Sequence, residues 1–221
     1  MCKYCGDAGY VYPLEDGKPD YSRVIPCPKC QTDEILLQKR LMHCQLPVES
    51  NKMELQCFRT KKDDGLIKSL RFAHEIVEGD IKWLTLIGKA GCGKTHLAVG
   101  ICKEWVKTKS ARYSFVPLLL KDLREGFELA GEDSYRSRFE KLCNVPLLVL
   151  DDLGVEKPSV WAQEQLQTIV HYRGLNGLPL VVTTNLPLDK LKGDDIGRIA
   201  SRLKRETWCR VVTITASEFK Q

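Results

Sequence analysis

The chain has 221 residues, 43% of them hydrophobic and 29% charged, which is enough for one full α/β domain and a small appendage. No apolar run approaches the roughly 20 residues that a membrane helix needs, and the first residues lack the order of a signal sequence. We therefore expect a cytoplasmic protein. The net charge of +5 is compatible with nucleic-acid contact, but an excess this mild is more often an ordinary soluble surface.

Four of the ten cysteines fall within the first 30 residues, as two Cys-x-x-Cys pairs. Cys2 and Cys5 form one pair, and Cys27 and Cys30 form the other. This spacing is typical of a four-cysteine tetrahedral zinc site, and so short a segment cannot bury a core of its own. Redox exchange is the alternative, but it needs a pair near a helix start in a thioredoxin-like sheet, which 30 residues cannot provide. Residues 1–31 are therefore predicted to be a zinc-binding module.

The other cysteines are isolated along the chain and are interpreted as packing residues. They are Cys44, Cys57, Cys92, Cys102, Cys143 and Cys209.

A helix, a linker and a second helix are predicted after this module. Residues 32–44 open with a cap-like Thr-Asp-Glu start and continue with apolar residues, which indicates a short helix. Residues 45–62 are interpreted as a linker. Residues 63–77 carry apolar side chains at helical spacing on one face, so a second helix is expected there.

From residue 83 onward, short apolar runs alternate with longer helical stretches. The runs cover residues 83–87, 113–116, 145–150, 178–184 and 210–215. Such alternation is typical of parallel strands joined by crossover helices. The predicted fold class is α/β, with a parallel five-stranded sheet.

A phosphate-binding loop follows the first apolar run. The pattern G-x-x-x-x-G-K-[ST] is matched by Gly88, Lys89, Ala90, Gly91, Cys92, Gly93, Lys94 and Thr95. Glycines let the backbone N–H groups point at phosphate oxygens, and the following helix start adds its positive dipole end. We expect ATP here, with Lys94 on the β and γ phosphates, the Thr95 hydroxyl on Mg²⁺ and His96 beside the nucleotide.

Two later strands end in polar residues that could serve the same site. Asp151 and Asp152 follow the run 145–150, and Asn185 follows the run 178–184. We expect Asp151 to hold Mg²⁺, Asp152 to polarise the attacking water and Asn185 to orient that water. Two aspartates after a strand can instead cap a helix or form a turn, and Asn185 can instead be a turn former before a proline.

Arg198 and Arg202 lie four residues apart on one predicted helical face near the end of the chain. Charges in such a run are usually solvated. Arg202 is also the candidate for an arginine finger, because a guanidinium is always charged and can fork onto phosphate oxygens.

In their order along the chain, the segments GKAGCGKTHLA, LLVLDDLG, VVTTN and GRIASRL form a recognisable set. Over residues 63–221 the chain resembles the DnaC and DnaI helicase loaders of bacteria and their phage relatives, and also the IstB-like transposition ATPases. These families belong to the initiator branch of the AAA+ P-loop ATPases. The resemblance implies that Lys94 and Thr95 are Walker A residues, that Asp151 and Asp152 are the Walker B pair and that Asn185 is the sensor 1 residue.

The resemblance further implies that Arg202 acts on the ATP of a neighbouring copy, and hence that the protein self-associates. Many AAA+ proteins have glutamate where this chain has Asp152. The chain is expected to lack the C-terminal helical lid of larger AAA+ machines, and Lys220 is a faint candidate for the sensor 2 residue. The expected organisation is a zinc-binding module at 1–31, a helix and linker at 32–62 and an AAA+ domain at 63–221.

The expected function is ATP-dependent loading of a hexameric replicative helicase. The resemblance implies that the zinc module docks the helicase and that the ATPase domain contacts single-stranded DNA. One alternative is an IstB-like regulator of a transposase that coats duplex DNA. The other is a small-molecule P-loop kinase, which would not need the asparagine strand and the arginine helix in this order. Residue support for DNA contact is weak and comes from Lys103, Lys107, Lys109 and Arg112, which also fit a solvated helix end.

Overall fold

The structure is a computed structural model that describes residues 2–60, 63–154, 159–190, 194–204 and 208–216. In that part of the chain, every helix is too short or too polar to cross a membrane. The candidate sensor 2 residue, Lys220, lies outside the described residues.

The N-terminal region contains four two-residue strands: β1 (Tyr10–Val11), β2 (Leu14–Glu15), β3 (Lys18–Pro19) and β4 (Ile25–Pro26). β1 pairs antiparallel with β4, and β2 with β3 in a tight hairpin. Arg23 bridges this hairpin through ion pairs with Glu15 at 2.6 Å and Asp20 at 3.1 Å. Such short strands form few ladder hydrogen bonds, so the region depends on other contacts for its shape.

Both helices predicted before the phosphate loop are present. α1 spans Asp33–Cys44, and the Thr32 side chain accepts a hydrogen bond from the N–H of Ile35 as its N-cap. α2 spans Asp64–Glu78, with the Asp63 side chain as N-cap and Gly79 ending the helix in a left-handed conformation.

The segment 45–60 between these helices packs against the main domain, unlike the linker expected from sequence. It forms 3₁₀ turns at Val48–Lys52 and Leu55–Cys57. Leu55 is 2% exposed, and a Cβ on Gly100 would lie only 2.7 Å from its side chain. The segment is ordered because Leu55 fills the space that this glycine leaves open.

The predicted five-stranded parallel sheet is confirmed. Its strands are β5 (Trp83–Gly88), β6 (Ala111–Phe115), β7 (Leu147–Asp151), β8 (Leu180–Thr184) and β9 (Cys209–Ile214), in the order β6-β7-β8-β5-β9. All pairs are parallel. The central strands β7, β8 and β5 are buried along their whole length, which explains their mainly apolar sequences.

Helices cover both faces of this sheet. The remaining helices are α3 (Lys94–Trp105), α4 (Val116–Glu125), α5 (Tyr135–Asn144), α6 (Val160–Leu175) and α7 (Asp194–Leu203). Apolar residues of α1, α2 and α3 form one core cluster with the sheet, and those of α4 to α7 form the other. Successive residues of β7 point alternately into the two clusters, as expected for a strand buried on both faces.

Cys44, Cys92, Cys102, Cys143 and Cys209 are buried, whereas Cys57 is exposed. The interpretation of Cys57 as a packing residue is therefore wrong. Cys57 ends a 3₁₀ turn whose buried side chain is Leu55, so its own side chain faces outward.

Candidate functional site

The phosphate-binding loop connects the end of β5 to the start of α3. Gly93 has a φ of 100°, and a Cβ on Gly88 would lie 2.7 Å from both the Cys92 sulfur and the Ile214 carbonyl oxygen. Only glycine fits these two positions without strain. The loop therefore brings its backbone N–H groups together at the N-terminus of α3, where an anion is stabilised.

Lys94 is the first residue of α3 and is 6% exposed. Its Nζ donates to the carbonyl oxygens of Gly88 at 2.9 Å and Lys89 at 2.8 Å, and to Oδ1 of Asn185 at 2.8 Å. The ammonium group is thus held inside the loop, directly beside the end of β8. Lys94 and Asn185 are 91 positions apart in the sequence, and both were predicted as site residues. The structure brings them into contact.

Asp151 ends β7 and is 3% exposed. The Thr95 hydroxyl donates to its two carboxylate oxygens, at 3.1 and 3.3 Å. A hydroxyl and a carboxylate oxygen are hard ligands of the type that Mg²⁺ takes in nucleotide sites. This pair fits a magnesium ion at the N-terminus of α3.

Asp152 follows with a φ of 64°, an unusual conformation for a residue other than glycine. Its N–H donates to the Thr183 hydroxyl at 2.9 Å, and its Oδ1 accepts from Nδ2 of Asn185 at 2.9 Å. Burial and the charge of Asp151 raise the pKa of Asp152, and the charge of Lys94 partly opposes this shift. A carboxylate with a raised pKa beside a phosphate loop is a candidate general base.

These side chains fit a magnesium nucleotide. The glycine-dependent loop, the Lys94 ammonium and the Thr95 and Asp151 oxygens supply donors for phosphate and ligands for the metal ion at one helix end. Lys89 contributes its carbonyl oxygen to Lys94, while Ala90 lies exposed at the tip of the loop.

A cavity of about 390 Å³ on one side of the loop was missed by sequence reasoning. Its lining residues come from the segment 53–59, from the loop and from His96. The His96 ring contacts the buried Phe58 ring edge to face at 5.3 Å, and its Nε2 lies 2.9 Å from the Glu54 carbonyl oxygen. The only sequence signal was the pair of apolar residues Leu55 and Phe58 inside a polar stretch.

Arg202 lies on α7, partly exposed. Its guanidinium donates to the Arg198 carbonyl oxygen at 3.0 Å and lies 3.0 Å from Nδ1 of His171 on α6. The Arg202 carbonyl oxygen also accepts from the Cys209 thiol at the start of β9. Cys209 pairs with Trp83 at the start of β5, so Arg202 lies toward the opposite end of the sheet from the phosphate loop, which follows the end of β5.

The four N-terminal cysteines converge as their spacing predicted. Their sulfur atoms all lie within 4.8 Å of one another, with Cys2 and Cys27 3.9 Å apart and Cys5 and Cys30 3.4 Å apart. Tetrahedral zinc with Zn–S bonds near 2.3 Å needs sulfur separations of about 3.8 Å. The cluster therefore fits zinc. Backbone hydrogen bonds from Cys5 and Tyr4 lower the pKa of Cys2 to about 7, whereas hydrogen bonding to Cys5 and burial raise the pKa of Cys30 to about 12, so Cys2 forms the metal-binding thiolate more readily than Cys30.

Three of the four basic residues considered for DNA contact are engaged within the fold. Lys103 donates to the carbonyl oxygens of Ser50 and Asn51, and Lys107 pairs with Glu104. Lys109 lies over the ring of Trp105. These contacts weaken the residue argument for a DNA surface at the end of α3.

Proteins similar to this chain include two replicative helicase loaders. Over 132 residues the chain is 30% identical to the replicative helicase loader DnaC of Escherichia coli (strain K12), covering 58% of this chain and 54% of that protein. Over 116 residues it is 28% identical to the replicative helicase loader DnaI of Bacillus subtilis (strain 168), covering 52% of this chain and 36% of that protein. The chain thus spans about half or less of the length of these curated relatives.

A crystal structure of DnaI superposes on the fold with a TM-score of 0.66 at 28% identity, covering 80% of this chain and 95% of the crystallised one. This supports the AAA+ fold class expected from the motif order. Residues 29–196 match the family model described as IstB-like ATP binding protein, which is more than half of the chain. The chain therefore belongs to the IstB-like ATP-binding protein family.

Proposed function

We propose that this protein is an ATP-dependent loader of a hexameric replicative helicase. The observation that carries the proposal is the single cluster of Lys94, Thr95, Asp151, Asp152 and Asn185 around the phosphate loop. Two relatives that share the domain carrying this cluster, DnaC and DnaI, are replicative helicase loaders. ATP binding would then act as the switch that drives loading.

In this proposal the side chains around the loop divide the work of hydrolysis. Lys94 would exchange its loop carbonyl oxygens for the β and γ phosphates, and Thr95 and Asp151 would hold Mg²⁺. Mg²⁺, when bound, supplies positive charge to the phosphate oxygens as the terminal bond breaks. The hydrogen bond between Lys94 and Asn185 supports the assignment of both residues to the γ-phosphate end of the site.

Asp152 is assigned the role of accepting the proton from the attacking water. Its raised pKa makes it a stronger base than an exposed aspartate, and Asn185 holds one of its oxygens. The same amide group can orient the water between the carboxylate and the γ-phosphate. Aspartate in place of the more common glutamate leaves room for that water because the side chain is one methylene shorter.

The cavity beside the loop would receive the adenine base. It is lined by Met53, Cys57 and Phe58 on one side and by the loop and His96 on the other. Apolar and aromatic side chains suit the faces of a purine. The segment 45–60 would therefore bind nucleotide in addition to joining the two predicted domains.

Arg202 is assigned to the ATP of a neighbouring copy, because it lies near the start of β9, whereas the phosphate loop of its own chain follows the end of the parallel strand β5. Self-association would then complete the active site. The Arg202→Ala variant should bind ATP as tightly as wild type but lose most of the hydrolysis that assembly stimulates. The ATPase rate measured at increasing protein concentration tests this. The Arg198→Ala variant is the matched control. If the ATPase rate rises equally with protein concentration in wild type and in Arg202→Ala, Arg202 is not an arginine finger.

The zinc module is assigned to helicase docking. It exposes several tyrosines, including Tyr10 at 57% and Tyr21 at 73%, and exposed tyrosine is typical of protein interfaces. Contact of the ATPase domain with single-stranded DNA is proposed from the resemblance to the loaders and has no residue assigned to it.

Co-elution with the hexameric replicative helicase of the source organism tests the loader proposal. The zinc-loaded chain should form a complex on size exclusion, and Tyr21→Asp should weaken it. Leu175→Asp is the matched control, since Leu175 is 74% exposed but lies on α6 in the ATPase domain. A chain that forms no complex under any nucleotide condition is not a loader of that helicase.

The second candidate is an ATPase that regulates a DNA transposase, which is favoured by the family match to IstB-like proteins. DNA preference separates the two. Tighter binding to duplex than to single-stranded DNA, measured by fluorescence anisotropy at one salt concentration, would support the transposition role. The reverse preference would support the loader.

A further inference from the structure

Two hydroxyl groups flank Asp151, and the sequence motifs assigned a role to neither of them. The Tyr113 hydroxyl donates to Oδ2 at 2.6 Å, and the Thr183 hydroxyl donates to Oδ1 at 2.6 Å. Tyr113 belongs to β6 and Thr183 to β8, the two strands that border β7. Each oxygen of the carboxylate therefore has its own donor from a different neighbouring strand.

The strand register explains why these two residue types occur at these positions. Leu150 pairs with Val182, so the next residues, Asp151 and Thr183, lie side by side, and a short hydroxyl reaches the carboxylate. On the other side Asp151 pairs with Phe115. Tyr113 lies two residues before Phe115 on the same face, about 6.6 Å along the strand. A side chain as long as tyrosine is needed to span that diagonal.

The Tyr113 hydroxyl is buried where it meets the carboxylate, since the residue is only 7% exposed. A hydrogen bond from a neutral donor to a buried carboxylate is strong and directional.

Together the two donors fix the plane of the carboxylate. Thr95 lies 3.1 and 3.3 Å from the same two oxygens, longer than the 2.6 Å bonds of Tyr113 and Thr183. The short bonds hold Asp151 from two sides, and the longer contacts leave it turned toward α3. We propose that Tyr113 and Thr183 are positioning residues that orient Asp151 for holding Mg²⁺. This inference rests on the proposed ATP site and assigns two residues to it.

Magnesium dependence of nucleotide binding distinguishes orientation of Asp151 from plain structural support. A fluorescent ATP analogue is titrated against the full chain, first in chelator and then over a series of Mg²⁺ concentrations. Tyr113→Phe keeps the buried ring and removes only the hydroxyl. The midpoint is the Mg²⁺ concentration that gives half of the maximal gain in analogue affinity. We expect it to rise about tenfold, which is the usual effect of removing a group that orients a metal ligand. Affinity without Mg²⁺ should stay unchanged.

Thr183→Val provides an independent second variant, and Thr183→Ser restores the hydroxyl at the same position. We expect the valine variant to shift the Mg²⁺ midpoint in the same direction and the serine variant to return it to the wild-type value. Tyr172→Phe is the matched control, since it removes a hydroxyl that donates to Asn144 at 2.7 Å outside the site. Its midpoint should not move.

The outcomes are separable. If wild type binds the analogue with Mg²⁺ but Tyr113→Phe and Thr183→Val keep its midpoint, the positioning role is wrong and the ATP site stands. If both variants lose affinity equally with and without Mg²⁺, the residues support the loop rather than Asp151, and the inference also fails. If wild type shows no Mg²⁺-dependent binding, the proposed ATP site itself is wrong.

Discussion

The N-terminal module and the ATPase domain reach a defined structure by opposite means. Within the described residues 2–31 only Gly9 and Cys27 are buried, whereas every residue of β5, β7 and β8 is buried. The domain has a sheet covered by helices on both faces, and the module has two-residue strands around four sulfurs. Apolar burial therefore stabilises the domain, whereas the module buries almost nothing, which is why we propose that it depends on a metal ion.

Removal of zinc should have the largest effect, because it should unfold the module but not the domain. Metal binding contributes on the order of 10 kcal/mol to small zinc modules, so chelation should unfold residues 2–31 and leave the sheet intact. Hydrogen exchange read by mass spectrometry should show lost protection in β1 and β4 and unchanged protection in β7. Cys27→Ser should reproduce the effect. Cys57→Ser, at an exposed cysteine outside the cluster, should not. Full protection of the module in zinc-free protein would contradict the metal's role.

Arg173 provides the converse test in the domain. It is fully buried on α6, and its guanidinium donates to five backbone carbonyl oxygens at the end of α5 and before β7 and β8. Burial lowers its pKa to about 10. Arg173→Leu leaves those oxygens unsatisfied and should cost about 3 to 5 kcal/mol in denaturant unfolding.

The matched control for Arg173 is Arg136→Leu, at an exposed arginine paired with Glu140 on α5. Its unfolding midpoint should stay near that of wild type. Zinc content of the module should be unchanged in both variants. Equal free energies of unfolding for Arg173→Leu and wild type would show that the carbonyl oxygens accept hydrogen bonds from water in the variant.

Lys94→Ala should abolish most ATP turnover while both the module and the domain stay folded. The lysine is the ammonium group of the phosphate loop, so ATP turnover should fall at least about 100-fold, equivalent to about 2.7 kcal/mol. Circular dichroism and zinc content should match wild type. Lys89→Ala is the control, because Lys89 joins the hydrogen bonds of the loop through its backbone carbonyl oxygen. Undiminished turnover in Lys94→Ala would refute the site.

The smallest expected effect is on pH dependence. Burial raises the folded-state pKa of Asp152 above its ordinary value of 3.8, so this carboxylate takes up its proton at a higher pH than an exposed aspartate. As a base it must be deprotonated. Turnover should therefore be complete above the raised pKa and decline as pH falls through it. The rate at saturating Mg-ATP measures this decline, and Asp152→Asn should remove most activity at every pH. Appreciable pH-dependent turnover in Asp152→Asn would assign the base elsewhere.

The sequence determined the parts of this protein that depend on local pattern. The spacing of Cys2, Cys5, Cys27 and Cys30 predicted the cluster because a tetrahedral ion needs ligands in two tight turns. Mainly apolar runs predicted the five strands because strands in a sheet covered on both faces carry few exposed polar positions. The phosphate loop was predictable because its glycines serve a backbone conformation that other residues cannot adopt.

Only the tertiary structure showed which distant residues meet. Segment 45–60 lacked any helical or strand period, and its place on α3 depends on Leu55 filling the space at Gly100. Tyr113 was read only as part of an apolar strand, since its hydrogen bond to Asp151 follows from register between β6 and β7. Local pattern is set by neighbours in the chain, whereas register and packing are set by contacts between segments far apart in sequence. These contacts form the cavity proposed to receive adenine, and they bring the two hydroxyl donors to Asp151.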